Sequence, residues 1–272
     1  MLKARNLFLA LLVATGTLPG AGIAASGQIL GLGPKPPAQP VVIPTLQPPA
    51  PGYTFPAKQT LTFTVDWRVF TGGTAVFHLE QQGDMLRINA TADTVGATNM
   101  LFPVMDRFQS AMDVKTGCST GFSKQIQEGR RKVSSDLTFE AGRQNLLERN
   151  LVKGTQKTDS ASIPACVTDS LSGIFYVASQ HLAVGQDVSF PLADAMRTVT
   201  VTMKVEAREE VKTPAGTFQT LRVEPTAEEG VVKNRGKIWI WYTDDARHMP
   251  VQIQARLFWG TITFHLQSVE PK

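Results

Sequence analysis

Strict alternation of apolar and polar residues constrains this chain more than any other feature. In "LTFTVDWRV", residues 61–69, Leu61, Phe63, Val65, Trp67 and Val69 alternate with Thr62, Thr64, Asp66 and Arg68. In "RTVTVTMKVEA", residues 197–207, Val199, Val201, Met203, Val205 and Ala207 alternate with Thr198, Thr200, Thr202, Lys204 and Glu206. Successive strand side chains point to opposite faces, so a period of two defines a strand with one buried face. Gly72-Gly73 predicts a hairpin turn after the first of these strands. "TPAG", residues 213–216, predicts a turn after the second, with "TFQTLRVEP" as the returning partner.

Two segments break the pattern. "ATNMLFPVMDR", residues 97–107, suits a short helix or a packed loop. "TDSLSGIFYVASQHLA", residues 168–183, is the best helix candidate. Thr168 or Asp169 can cap its N-terminus, and Leu171, Ile174, Phe175 and Ala178 share one face at helical spacing. Many short strands in one domain favour a sheet that curls, and a lone helix then covers what the strands leave exposed. The expected fold is mainly β: a strongly curved antiparallel sheet, an open or unclosed barrel, with one amphipathic helix on its concave face.

The N-terminus reads as an export signal. Lys3 and Arg5 precede the apolar run Leu7 to Ala14, and small residues follow, placing cleavage after Ala24 or Ala25. The run is shorter than the roughly 20 residues that a membrane span needs. No later segment is long and apolar enough to cross, so the expected location is the periplasm or the exterior. No cysteine lies near the cleavage site to carry a lipid. Residues 34–56 hold nine of the chain's seventeen prolines, which predicts an extended, semi-rigid linker. The expected organisation is a signal peptide over 1–25, a Pro-rich linker over 26–57 and a single β-rich domain over 58–272.

Charge excludes one class of function. The formal net charge of +4 falls to about +2 once Lys3 and Arg5 are removed. "GRRK", residues 129–132, is a short basic turn, so nucleic acid is not an expected partner. Cys118 and Cys166 are the only cysteines. Export permits a disulfide between them, the alternative being two free thiols. Such a bridge closes a long loop, worth about 4 kcal/mol in the chain-entropy model.

The densest chemistry lies in "WYTDDARHMP", residues 241–250, where Asp244, Asp245, Arg247 and His248 crowd together. Strand-like patterns flank it, so the segment reads as a hairpin whose acidic pair bonds the turn backbone. An active site on a bare hairpin tip lacks enclosing walls and an oriented base. His78, His181 and His265 are scattered, and no histidine pair has metal-ligand spacing. The G-x-S-x-G, H-E-x-x-H, Walker and Rossmann patterns are absent. The expectation is therefore no catalytic residue, no metal and no cofactor. "IWIWY", residues 238–242, is apolar on both faces, so it is packed on both sides or borders a cavity. On the second reading Trp239, Trp241 and Phe175 line a pocket for an apolar ligand.

Several segments together resemble an exported bacterial family known as domain of unknown function 3108. They are "LTFTVDWRVFTGGTAVFHL", "EGRRKVSSDLTF", "DSLSGIFYVASQHLAVGQ", "VKTPAGTFQTLRVEP" and "GKIWIWYTDDARHMPVQIQARLFWGTITFHL". Where that family has an arginine after the helix aromatics, this chain reads "YVASQ". The closing hairpin is also similar to those of periplasmic lipoprotein carriers with unclosed β-barrels, a likeness of fold alone. The resemblance implies an exported β-rich domain and supplies no catalytic residues. The functional expectation is a non-enzymatic envelope protein that binds a lipid or other apolar ligand between sheet and helix. The alternatives are a structural or protein-interaction module using the Pro-rich arm or a sheet edge, and an unrecognised hydrolase built on a clustered Ser/His/Asp geometry.

Overall fold

A computed structural model describes residues 43–67, 70–140, 142–194, 196–227, 236–257 and 260–271. The expected signal peptide and the first part of the Pro-rich segment lie outside these residues. The described residues form one antiparallel sheet of fourteen strands. In chain order these are β1 (Lys58–Trp67), β2 (Phe70–Gln82), β3 (Met85–Thr94), β4 (Met105–Asp113), β5 (Ser119–Glu128), β6 (Arg131–Glu140) and β7 (Arg143–Asn150). There follow β8 (Thr155–Ser162), β9 (Asp187–Asp194), β10 (Arg197–Thr213), β11 (Gly216–Thr226), β12 (Lys237–Thr243), β13 (Pro250–Leu257) and β14 (Gly260–Pro271). Two short helices interrupt them, α1 (Gly96–Leu101) and α2 (Ser172–Ala178).

The spatial order runs β8-β7-β6-β5-β4-β3-β2-β1-β14-β13-β12-β11-β10-β9. Two meanders thus meet where β1 pairs with β14, and β8 and β9 remain as unjoined edges. The alternation in sequence becomes one buried face. Leu61, Phe63 and Val65 of β1 share a core with Phe77, Ile88, Phe108, Val201 and Phe264 from strands on both sides of the junction. Burying a large apolar side chain stabilises a fold by about 1.5–3 kcal/mol, so these rows define which face curls inward.

Two details of register differ from expectation. Trp67 pairs with Phe70, so the first hairpin turns before Gly72-Gly73, which sit inside β2. The glycines lie beside a register shift between Val65 and Asp66, and Gly72 approaches Thr98 of α1. Gly72 is the extra residue of this bulge, left without a partner in β1 between Thr71 opposite Asp66 and Gly73 opposite Val65. In β10 a shift between Val205 and Ala207 sends Ala207 to the outer face, so the inward row ends at Val205.

Candidate functional site

The site is the concave face where α2 lies. This helix is shorter than its sequence pattern, and it is buried on nearly every side: Ser172, Gly173, Phe175, Tyr176, Val177 and Ala178 are all inaccessible. A seven-residue helix is unstable by itself. Its surroundings hold it at both ends.

At the N-terminal end, Asp169 does the holding. Its Oδ1 accepts the backbone N–H groups of Leu171 and Ser172 at 2.8 and 3.0 Å. Its Oδ2 accepts the hydroxyls of Ser110 at 2.5 Å and Ser119 at 2.6 Å, which belong to β4 and β5. Ser119 Oγ in turn accepts the Asp169 N–H at 3.0 Å. One buried carboxylate therefore caps the helix and ties it to two strands. The cluster has the serines and aspartate of a hydrolase, but among the described residues no histidine bonds to it. His78 bonds Thr60, His265 pairs with Asp66 and His248 bonds Ala178. The nucleophile–base contact that a triad needs is not formed here.

At the C-terminal end, the hairpin tip closes over the helix. His248 Nδ1–H donates to the Ala178 carbonyl at 2.9 Å, satisfying one of the carbonyls that a helix end leaves open. His248 holds a left-handed φ of 41° to do so. The rest of the polar tip is turn chemistry, as its sequence suggests. Asp245 accepts the Thr243 hydroxyl at 2.8 Å and the Arg247 N–H at 3.0 Å. Burial pulls the Asp245 carboxyl upward, but the Arg247 guanidinium and the Thr243 hydroxyl outweigh it and hold the group below its ordinary range. Asp244 pairs with Arg208 of β10. The contact of His248 with a helix seventy residues away left no signal in the sequence.

Between its ends, α2 is wedged by aromatics. Phe175 packs edge-on to Phe77 at 6.3 Å, and Tyr176 edge-on to Phe190 at 5.0 Å. Tyr242 donates its hydroxyl to the Ile174 carbonyl at 2.9 Å. Burial pushes the pKa of the Tyr242 and Tyr176 phenols above the usual range, so both stay neutral. Gly117 faces Tyr176 so closely that a Cβ there would sit 2.6 Å from its ring. The side of α2 turned away from the sheet is covered by residues 43–57, an irregular strap. The Gln47 N–H donates to the Tyr176 hydroxyl at 2.9 Å, and the Ala50 N–H to the Ser179 carbonyl at 2.7 Å. Leu46, Tyr53 and Phe55 of the strap pack on the core. This part of the Pro-rich segment lies against the domain and does not stand off from it as a spacer.

The three aromatics singled out in sequence do not come together. Phe175 faces Phe77 of β2 on the concave face. Along β12, Ile238, Ile240 and Tyr242 take the inner face, which leaves Trp239 and Trp241 on the outer one. There the Trp239 indole donates to Glu206 at 3.1 Å, and the cations of Lys237 and Arg256, cross-strand partners, lie over its ring, 5.7 and 5.5 Å from its centre. Trp241 donates to Glu209 at 2.5 Å, and Arg222 joins Glu206 to Glu209. The strand is apolar on both sides because its inner face meets the core and its outer face carries a charged lattice over two indoles. A separate hollow of about 770 Å³ opens on strands β6 to β8, lined by Asp136, Thr138, Asn145, Leu147, Gln156 and Thr158 among others. None of the three aromatics lines it.

A second polar group is buried in the other half of the concave face. Asp106 is fully inaccessible; its Oδ1 accepts the Gln127 N–H at 2.9 Å and its Oδ2 has no hydrogen-bond partner. Burial and then the nearby Glu128 charge raise its pKa to about 7, against the lowering pull of the Gln127 N–H and of Arg131 and Arg107. Glu128, also buried, pairs with Arg131 at 3.4 Å. Among the described residues no three His, Cys, Asp or Glu side chains are placed to hold a metal ion.

These features define a β-barrel-like protein whose sheet does not close and whose concave face is plugged by a helix. The chain belongs to the family described as protein of unknown function DUF3108, whose model matches residues 62–267. A comparison with curated proteins returns no match. Among solved structures, the chain is similar to a β-barrel-like protein of domain of unknown function DUF1849 from Brucella abortus. That likeness has a TM-score of 0.54 at 10% identity, covering 80% of this chain and 98% of that one. Weaker likenesses are to a candidate exported protein with a YmcC-like fold from Bacteroides fragilis and a candidate lipoprotein from Parabacteroides distasonis. The first has a TM-score of 0.35 at 9% identity, covering 80% of this chain and 99% of that one. The second has a TM-score of 0.31 at 10% identity, covering 80% and 98%. At such identities these likenesses concern the fold alone.

Proposed function

We propose that this is a non-enzymatic protein of the bacterial cell envelope, exported to the periplasm or the exterior. Its concave apolar face would hold an apolar ligand beneath the strap. The Cys118–Cys166 disulfide, with Cα atoms 5.1 Å apart, supports the compartment, since such bonds persist where the environment oxidises. The charged N-terminus followed by a short apolar run supports the same route. The observation that carries the ligand reading is the strap itself. A peptide segment with three apolar side chains packed on the core reaches α2, and the N–H groups of Gln47 and Ala50 bond it to the helix region. Its withdrawal would uncover Tyr176 and give access past it to Phe175 and Phe77 of the curved apolar wall, the lining that acyl chains favour.

Of the three aromatics, Phe175 is the ligand-contacting residue on this reading. Trp239 and Trp241 would stiffen the wall from outside. The test is native mass spectrometry of the exported protein, together with titration of a fluorescent acyl probe against the wild type and Leu46→Asp. The expected result is co-purified lipid or probe binding that strengthens severalfold in Leu46→Asp. A protein that carries no lipid and leaves the probe dark in both forms would overturn the reading.

A further inference from the structure

Of the ten large apolar side chains that are exposed among the described residues, eight lie at one end of the sheet. The meander dictates this grouping. Strands β1 to β8 alternate in direction, so the β1–β2, β3–β4, β5–β6 and β7–β8 connections all emerge at the same rim. The first shows Trp67 and Phe70, the latter 70% exposed. The second shows Val95, Met105 and the end of α1, where Met100 and Leu101 are 87% and 85% exposed. The fourth shows Leu151 and Val152, 56% and 61% exposed. None of the residues of α1 is buried, so this helix contributes nothing to the core that would explain its apolar end.

Cations sit among these knobs. Arg130 and Lys132 flank the β5–β6 turn, which abuts α1 through the Gly129 N–H bonded to the Pro103 carbonyl at 2.8 Å. Lys153 follows Val152 in the β7–β8 turn, and all three cations are exposed. The acidic groups nearby are engaged: Asp93 pairs with Arg107, and Glu128 is buried with Arg131. The opposite rim has a different chemistry. Its turns carry Gln82, Gly83 and Asp84, then Lys115 and Thr116, with Lys115 and Asp84 paired at 2.6 Å.

We infer that the rim formed by the β1–β2, β3–β4, β5–β6 and β7–β8 connections docks on an anionic phospholipid bilayer. The pattern fits a lipid surface because the apolar groups stand on separate loops, projecting from an edge instead of lining a groove. A bilayer interface accepts isolated knobs, and its anionic headgroups match the cations between them. Met100 and Leu101 would enter the headgroup–acyl boundary, with Phe70 and Val152 beside them, while Arg130, Lys132 and Lys153 meet phosphates. This inference stands on the rim alone and does not depend on the concave face binding a ligand.

Flotation of the exported chain with vesicles tests it, using phosphatidylcholine alone and phosphatidylcholine mixed with phosphatidylglycerol. The wild type is expected to float with the anionic vesicles and to be released by high salt. Met100→Ser with Leu101→Ser should weaken binding roughly tenfold or more. Arg130→Gln with Lys132→Gln should weaken it by roughly fivefold per cation. Both pairs are fully surface-borne, so circular dichroism and thermal midpoints should be unchanged. Val184→Ser, exposed but away from the rim, should bind as the wild type does. No preference for anionic vesicles, or undiminished binding by the Met100/Leu101 variant, would overturn the inference. So would retention on an envelope protein fraction with no binding to vesicles.

Discussion

Asp106 and His248 show how single side chains in this fold work against their own preferences. Asp106 sits where water cannot reach, and its pKa rises to about 7. In the unfolded chain the same group titrates near its ordinary value of about 3.9. The fold therefore binds a proton that the unfolded chain has released. The stability this group allows is present below pH 4 and declines as pH rises towards 7 and beyond. Asp106→Asn keeps an acceptor for the Gln127 N–H and removes the charge. It should raise stability at pH 8 by about 1–3 kcal/mol and leave it little changed at pH 4, read from urea midpoints across pH. An unchanged pH dependence would show that Asp106 is charged at no significant cost. His248 poses a different question, since its left-handed backbone favours glycine and its ring holds the end of α2. His248→Ala loses the hydrogen bond and keeps the strain, and should cost about 1–2 kcal/mol; His248→Gly relieves the strain and should cost less. Equal losses, measured by chemical denaturation, would exclude a backbone contribution.

The elements differ in how much of them is legible in sequence. Strands β1, β10 and β11 follow directly from period-two patterns, because one face of each meets the core and the other meets water. Helix α2 is visible from its cap and its apolar face, but its burial on the outer side is not. That burial comes from Leu46, Tyr53 and Phe55, more than a hundred residues earlier in the chain, within a segment whose prolines suggest a spacer. Strand β12 announces that it is packed on both sides, yet nothing local to "IWIWY" shows that Glu206, Glu209, Arg222 and Arg256 supply the outer layer. These partners come from other strands, and register decides them. The anchoring of α2 has a similar history. Asp169 is legible as a cap, while its bonds to Ser110 and Ser119 depend on how β4 and β5 curve beneath the helix. Asp169→Ala would leave two helix N–H groups and the buried Ser119 hydroxyl without their acceptor and leave Ser110 only the Ser172 hydroxyl, a loss of about 3–5 kcal/mol. Asp169→Asn keeps an acceptor for the N–H groups and a donor that either serine can accept, so it should cost markedly less. Comparable losses in the two variants, by thermal or urea unfolding, would mean that the carboxylate charge itself is what the site requires.

At the scale of the molecule, the question is what keeps an unclosed sheet curled. Strands β8 and β9 do not pair, so no continuous ladder closes the ring. Instead the chain leaving β8 crosses between the two edges on its way to α2. The Ile163 N–H bonds the Gly142 carbonyl, the Ser119 N–H bonds the Val167 carbonyl, the Thr168 N–H bonds the Pro191 carbonyl of β9, and the Ala193 N–H of β9 bonds the Thr168 carbonyl. Ile163, Val167 and Ala193 form a small apolar cluster of their own along this crossing, with Phe139 against it. The disulfide fastens the same segment, joining Cys166 to Cys118 at the start of β5 across a sequence separation of 48. A constraint of that length is worth about 4 kcal/mol in the chain-entropy model. Its position adds a local effect, because the crossing segment also sets Asp169 under the helix. Cys118→Ser with Cys166→Ser should therefore lower the thermal midpoint by on the order of 10 °C. Hydrogen exchange separates the two contributions. Constraint of the unfolded chain alone would lower protection evenly across the sheet. A local tether predicts the largest loss at the amides of Ser119, Thr168 and Ala193 and along α2, with the β1–β14 junction least affected. Uniform loss would assign the disulfide to the unfolded state and leave the crossing segment to be held by its hydrogen bonds.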